Sequence, residues 1–149
     1  MAPVVMNYIE GKKKKMGQVF RGESVIPVTF IELSANSDAD FAVDEKLKIV
    51  ARSRGRGFQG VVKRHGFAGG PKSHGQKHTH RAPGSIGATG PQRVMPGTRM
   101  SGRMGLTKIN LKNVKVVAFE KARGLLVIKG CLPGMRGNII RIFRNNNEK

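Results

Sequence analysis

The stretch from Arg52 to Gly105 is the feature that most constrains the fold of this chain. It contains eleven Lys or Arg and thirteen Gly, and no Asp or Glu occurs anywhere between Glu45 and Glu120. Glycine at this density carries a large backbone entropy cost, which the few scattered apolar residues cannot offset by burial. A long connection without a core of its own is either functional or disordered. We therefore interpret this stretch, called the arm below, as an extension that is disordered alone and becomes ordered against nucleic acid.

The overall charge agrees with a polyanionic partner. The 149 residues carry a formal net charge of +19, and the calculated pI is about 11.2. Such a charge favours association with phosphate backbones. A membrane surface is the alternative polyanion, but no segment approaches the ~20 apolar residues needed to span a bilayer, so we expect no membrane partner. The single Cys131 excludes an internal disulfide, and its apolar neighbours predict a buried side chain.

Outside the arm, short β-branched and alternating segments predict strands. Within Lys108–Phe119 the alternation changes phase at Asn113, which predicts a bulge or a tight bend. Glu120–Gly124 reads as a hairpin loop that ends in a glycine suited to positive φ. Together these segments predict a mainly β fold, a small barrel or sandwich, formed by residues 1–51 and 106–149, with the arm 52–105 inserted between two strands. The other predicted strands are Ile26–Leu33, Leu47–Ala51, Leu125–Ile128 and Ile139–Phe143.

The arm holds all four histidines of the chain, but its composition argues against catalysis. A histidine base needs an orienting group and an acid/base pair needs carboxylates, and the arm has neither. His74, His78 and His80 have a spacing that could chelate a metal, yet no Cys or carboxylate completes a zinc site and the neighbouring Lys77 and Arg81 would repel a dication. We expect no enzyme activity, no cofactor, no bound metal and no small-molecule substrate; a metallohydrolase is the most distant alternative.

Binding of structured RNA would explain the cations, the glycines and the exposed rings of the arm, which a catalytic role does not explain. Arginine can contact two phosphate oxygens at once, and exposed rings can stack on unpaired bases. An irregular arm suits RNA crevices better than the groove of a DNA duplex. The predicted contacts include the lysine run near the N-terminus, for which a solvated face is the alternative. They are Lys12, Lys13, Lys14, Lys15, Arg52, Arg54, Arg56, Phe58, Lys63, Arg64, His65, Lys72, His74, Lys77, His78, His80, Arg81, Arg93, Arg99 and Arg103.

Several long motifs resemble the signature of the ribosomal protein L three family. They are RGRGFQGVVKRHGFAGGPKSHG, HRAPGSIGATG and RVMPGTRMSGRMG within the arm, and GKKKKMGQVF, SVIPVTFIEL and VVAFEKARGLLVIKGCLPGMRGNII on either side of it. The resemblance covers most of the chain, and the motifs occur in the family's order. The chain departs from the family pattern in a shortened segment, residues 34–48, and in Ala88, where bacterial members often have glutamine.

The resemblance implies a six-stranded β-barrel of the type shared by translation-factor and reductase domains. It also implies a long irregular basic extension, here 52–105, that runs through large-subunit rRNA toward the peptidyl transferase centre, with its innermost part around 72–91. Members bind rRNA beside neighbouring ribosomal proteins, support subunit assembly and perform no catalysis. The segments HGQKHTHR and VMPGT resemble mitochondrial more than bacterial members, which favours a mitochondrial over a bacterial or plastid ribosome. A free-standing nucleic-acid chaperone or chromatin-type protein remains the alternative function.

Overall fold

The computed structural model describes residues 8–34 and 40–144 and is mainly β. The chain divides into two compact units. The first, called the β unit, comprises the described residues of 1–54 and 106–149, and the second is Gly55–Gly105. The elements are β1 (Ile9–Arg21), β2 (Ser24–Leu33), β3 (Lys46–Arg52), β4 (Gly57–Gln59), α1 (Val61–His65), β5 (Gly102–Met104), β6 (Lys108–Glu120), a 3₁₀ turn (Lys121–Arg123), β7 (Leu125–Lys129) and β8 (Ile139–Arg144).

Six strands of the β unit form one antiparallel sheet in the order β1-β2-β7-β6-β3-β8, and β8 pairs with β1, so that the sheet closes into a barrel. Alternate residues of each strand point inward, as the two-residue period of a strand requires. The inward positions of β3 are Leu47, Ile49 and Ala51, all of them buried. They pack in one hydrophobic cluster with residues from β2, β6, β7 and β8. These residues include Ile31, Val116, Leu126, Ile128, Ile140 and Ile142.

Most strands follow the alternation of the sequence. The predicted strands that became β2, β3, β7 and β8 are confirmed within a few residues. The start of β1 was missed, because the inward positions of its first half are Gly11 and Lys13, which are not apolar signals. The predicted burial of Cys131 is wrong: the thiol is exposed after the end of β7, and the neighbouring Leu132 is the buried residue.

The phase change in β6 is a bulge within one continuous strand. Leu47 pairs with Val114 and Ile49 with Leu111, so β6 uses one residue more than β3 over the same length. Asn113, in the extra segment, has a φ of 58°, a conformation that asparagine adopts more readily than most residues. The hairpin loop after β6 is also confirmed, since Gly124 has a φ of 57°. The bulge keeps both halves of β6 facing the core despite the change of phase.

Candidate nucleic-acid interface

The arm begins and ends in a two-stranded ladder. Phe58 of β4 lies opposite Arg103 of β5, and the pairing extends from Gly57 opposite Met104 to Gln59 opposite Gly102. The amide of Arg56 adds a hydrogen bond of 2.9 Å to the carbonyl of Met104. This ladder was not predicted from the sequence, because each strand has three residues and contains glycine. It places Arg56, Phe58 and Arg103 at the base of the arm, all exposed.

A single helical turn follows the ladder and is held to the returning chain. In α1, the Arg64 guanidinium donates a hydrogen bond of 2.7 Å to the carbonyl of Met100, and Nε2 of His65 lies 3.0 Å from the same oxygen. Gly66 ends the helix in the left-handed conformation. Val61 is the only fully buried hydrophobic residue of the arm. Arg64 and His65 therefore position the backbone of the arm, and Arg64 retains further donors for an anion.

The middle of the arm contains a close crossing of two backbone segments. The amide of Gly70 donates to the carbonyl of His80 at 3.0 Å, and Nδ1 of His80 lies 3.1 Å from the carbonyl of Pro71. Gly69 has a φ of 78°, and a Cβ added there would collide with the carbonyl oxygen of His80. Only glycine fits at this position. The crossing fixes the turn from Lys72 to Thr79 in space without a hydrophobic core.

Most predicted contacts in the arm have free, solvent-facing side chains. His80, like Arg64 and His65, is half-buried and bonded to a backbone carbonyl, as described above. None of the salt bridges among the described residues involves the arm, which itself has no carboxylate. The positive charges of the arm are thus not neutralised by the chain itself. The exposed predicted residues of the arm are Arg54, Arg56, Phe58, Lys63, Lys72, His74, Lys77, His78, Arg81, Arg93, Arg99 and Arg103, and Arg52 at the end of β3 is exposed as well.

Two phenylalanines differ in what they can offer a base. The Phe58 side chain is 75% exposed, which suits stacking on an unpaired base. Phe67 is half-buried and lines a shallow cavity together with Gly69, Ala82 and Pro83. Phe67 therefore packs within the arm, and the stacking role fits Phe58.

The lysine run of β1 divides into different environments. Lys13 is 8% exposed, and its ammonium donates to the carbonyls of Leu132 at 2.6 Å and Gly134 at 3.1 Å. Lys14 pairs with Glu32 at 2.7 Å, and the ammonium of Lys15 lies over the Phe30 ring at 5.5 Å. Lys12 is exposed. Lys13 therefore has a structural role, and we remove it from the expected phosphate contacts.

The histidines of the arm do not converge. Within residues 8–34 and 40–144, no group of three or more His, Cys, Asp or Glu is arranged to hold a metal ion. In the same part of the chain, no helix has the length and apolar character needed to cross a membrane.

Comparison of the sequence with known protein families gives a match over most of the chain. The family model described as ribosomal protein L3 matches residues 15–125, which include the arm and most of the sheet. The chain belongs to the ribosomal protein L3 family. Members of this family are structural components of the ribosome and not enzymes. The resemblance found in the arm motifs is thereby confirmed.

Three bacterial relatives of this L3-family chain, each named large ribosomal subunit protein uL3, show how far the similarity extends. The chain is 41% identical over 143 residues to the Herpetosiphon aurantiacus protein, covering 91% of this chain and 66% of the relative. It is 48% identical over 102 residues to that of Carboxydothermus hydrogenoformans, covering 68% and 48%. It is 52% identical over 108 residues to that of a Prochlorococcus marinus strain, covering 72% and 49%.

The chain thus spans about half to two thirds of the length of these relatives. Because the relatives are bacterial, the preference for a mitochondrial ribosome has no support from them, and we do not carry it further.

Sequence reasoning passed over five cations of the β unit that the structure brings together. Lys46 and Lys48 lie on β3, and Lys108, Lys112 and Lys115 lie on the neighbouring β6. Their alternation with apolar residues was the available signal. It was read only as a strand pattern, because the pairing of β3 with β6 is not visible in the sequence.

Proposed function

We propose that this chain is a structural rRNA-binding component of the large ribosomal subunit, with the arm as its main RNA contact. The observation that carries the proposal is the set of exposed cations in an arm without a carboxylate, in a member of the L3 family. Phosphate contacts supply most of the affinity of such a surface, and glycine allows the backbone to approach the sugar–phosphate chain closely.

Within this function the arm has an outer and an inner part. The ladder of β4 and β5 anchors the arm at its base, and residues 72–91 form the inner part. Family resemblance supports a position of this inner part toward the peptidyl transferase centre, where it supports assembly and takes no part in bond making. Neighbouring large-subunit proteins are the other expected partners.

The β unit supplies the second part of the proposal. We assign its closed six-stranded sheet to the barrel type of translation-factor and reductase domains. The antiparallel order β1-β2-β7-β6-β3-β8 supports this assignment. We propose the domain boundaries 1–51 with 106–149 for the barrel domain and 52–105 for the arm, and the division of the chain into two compact units supports them.

Salt dependence of binding to a large-subunit rRNA fragment tests the function. If about eight phosphates are neutralised, the slope of log Kobs against log salt is about −6 to −7. Replacing Arg54, Arg56, Arg93 and Arg99 by Gln makes the slope shallower by about 3. The control replaces four cations outside the proposed contacts, Lys121, Arg123, Lys129 and Arg136, by Gln and leaves the slope within about one unit. A slope near zero, or equal changes in the two variants, contradicts the proposal.

The chaperone alternative makes a different prediction at high salt. A chaperone bound by charge alone is stripped from ribosomes by a high-salt wash, whereas an integral component cosediments with the large subunit. Loss of the chain from washed large subunits would favour the chaperone.

A further inference from the structure

The outer surface of β3 and of residues 108–115 of the neighbouring β6 carries six cations and no carboxylate. β3 contributes Lys46, Lys48 and Arg52, and β6 contributes Lys108, Lys112 and Lys115. We call these six residues the β3–β6 face. On β3 they alternate with the buried Leu47, Ile49 and Ala51, so the cations share the outward side of the strand.

The register of the sheet sets like charges against one another on this face. Lys46 lies directly opposite Lys115, and Arg52 lies directly opposite Lys108. Like charges in directly opposed positions destabilise a sheet. The β unit therefore bears a folding cost at these positions that a surface of alternating sign would avoid. An external anion removes that cost.

Most of the described carboxylates form ion pairs elsewhere. Of the seven described Asp and Glu residues, six form salt bridges, and none of their partners belongs to the β3–β6 face. The lysines of β1 provide the contrast, since Glu32 of β2 neutralises Lys14. The six cations of the β3–β6 face thus form no ion pair with a described carboxylate, whereas Lys14 of β1 does.

A cleft of about 710 Å³ adjoins one end of the face. Val50 and Ala51 line it beside Arg52, Lys108 and Arg141. Glu10 also lines the cleft, but its carboxylate is paired with Arg141 at 3.4 Å. Two cations of the face therefore border a concavity in which no unpaired carboxylate opposes an incoming phosphate.

The shape and composition of the β3–β6 face favour double-stranded over single-stranded RNA. Cations on adjacent strands are ~5 Å apart and those on alternate residues ~7 Å apart, on a rigid surface. None of the six residues is aromatic, and the ring next to Lys48, Phe143, lies under its ammonium at 5.7 Å. Single-strand binding sites use exposed rings on which bases stack, whereas duplex RNA is held through its backbone and shape.

We propose that the β3–β6 face binds the sugar–phosphate backbone of double-helical RNA, as a second contact separate from the arm. The proposed function supplies RNA as the partner, and the β3–β6 face adds the surface and the helical form. We expect it to read no base sequence, because contacts to phosphates carry no sequence information.

Lysine acetylation of the full chain, read by mass spectrometry, locates the contact. The probe is a blunt mixed-sequence RNA duplex, with a single strand of equal length as the comparison. We expect the duplex to slow acetylation of Lys46, Lys108, Lys112 and Lys115 at least threefold, and the single strand to protect them less. If the arm residues Lys72 and Lys77 are protected and the four face lysines are not, the face proposal fails while the proposed function stands. If neither set is protected, both fail.

Charge removal tests the same surface energetically. Replacing Lys46, Lys108, Lys112 and Lys115 by Gln removes four exposed charges, and we expect the slope of log Kobs against log salt for the duplex to become shallower by about 3. The matched variant at Lys121, Arg123, Lys129 and Arg136 removes equal charge from the same unit. Equal changes in the two variants overturn the proposal. A thermal melt of both proteins confirms folding, and the face variant melts no lower than the unmodified chain.

Discussion

At the scale of single residues, the lysine run shows how little residue type says about role. Four identical side chains in sequence become one exposed cation, one buried donor, one salt-bridge partner and one ring contact. Strand alternation turns Lys13 inward, and its acceptors, the carbonyls of Leu132 and Gly134, lie 119 and 121 residues away in sequence. No local pattern could reveal those partners, so the sequence predicted a phosphate contact at a position that holds the fold together.

Replacing Lys13 by Met tests this structural role. The substitution keeps the length of the side chain but leaves two carbonyls near the core without their charged donor, so the free energy of unfolding should fall by about 2–3 kcal/mol. Urea denaturation followed by circular dichroism measures it. Lys12→Met, one residue earlier and exposed, should change stability by no more than about 0.5 kcal/mol. Similar losses at the two positions would show that Lys13 is not a structural donor.

At the scale of elements, the long alternating strands were predictable and the short ones were not. β2, β3, β6, β7 and β8 carry apolar residues at a period of two, and the phase change in β6, which predicted either a bulge or a tight bend, is a bulge. β4, β5 and α1 have only three to five residues each, and the two strands include glycine, so these elements show no period. The expected irregular arm consequently has more local structure than its composition indicated.

Two glycines of the arm provide a matched test of that local structure. Gly69 and Gly75 have φ values of 78° and 77°, so alanine carries the same conformational penalty at both. At Gly69 the new Cβ also collides with the His80 carbonyl, whereas at Gly75 nothing lies within 4 Å. Gly69→Ala should therefore weaken binding to a large-subunit rRNA fragment at least fivefold more than Gly75→Ala. Equal affinities, measured by filter binding at one salt concentration, would mean that the crossing does not shape the interface.

At the scale of the whole molecule, the distribution of charge along the chain explains which RNA-binding surface could be predicted from the sequence and which could not. The acid-free arm is continuous in sequence, so composition alone indicated RNA binding, and its motifs correctly indicated the L3 family. The β3–β6 face is assembled from strands on opposite sides of the arm, and its like-charge pairs exist only once the register between them is fixed. The sequence motifs that suggested a mitochondrial ribosome have no support from the relatives, which are bacterial.

The central claim is that the arm is the main RNA contact of the chain. Ultraviolet crosslinking in purified large subunits, followed by mass spectrometric mapping of the crosslinked peptides, tests it most directly. We predict that most crosslinks fall within residues 52–105, with Phe58 among the crosslinked side chains, and that the peptide containing Lys121 and Arg123 carries none. A map in which the arm is free of crosslinks while the rest of the chain is crosslinked would contradict the account.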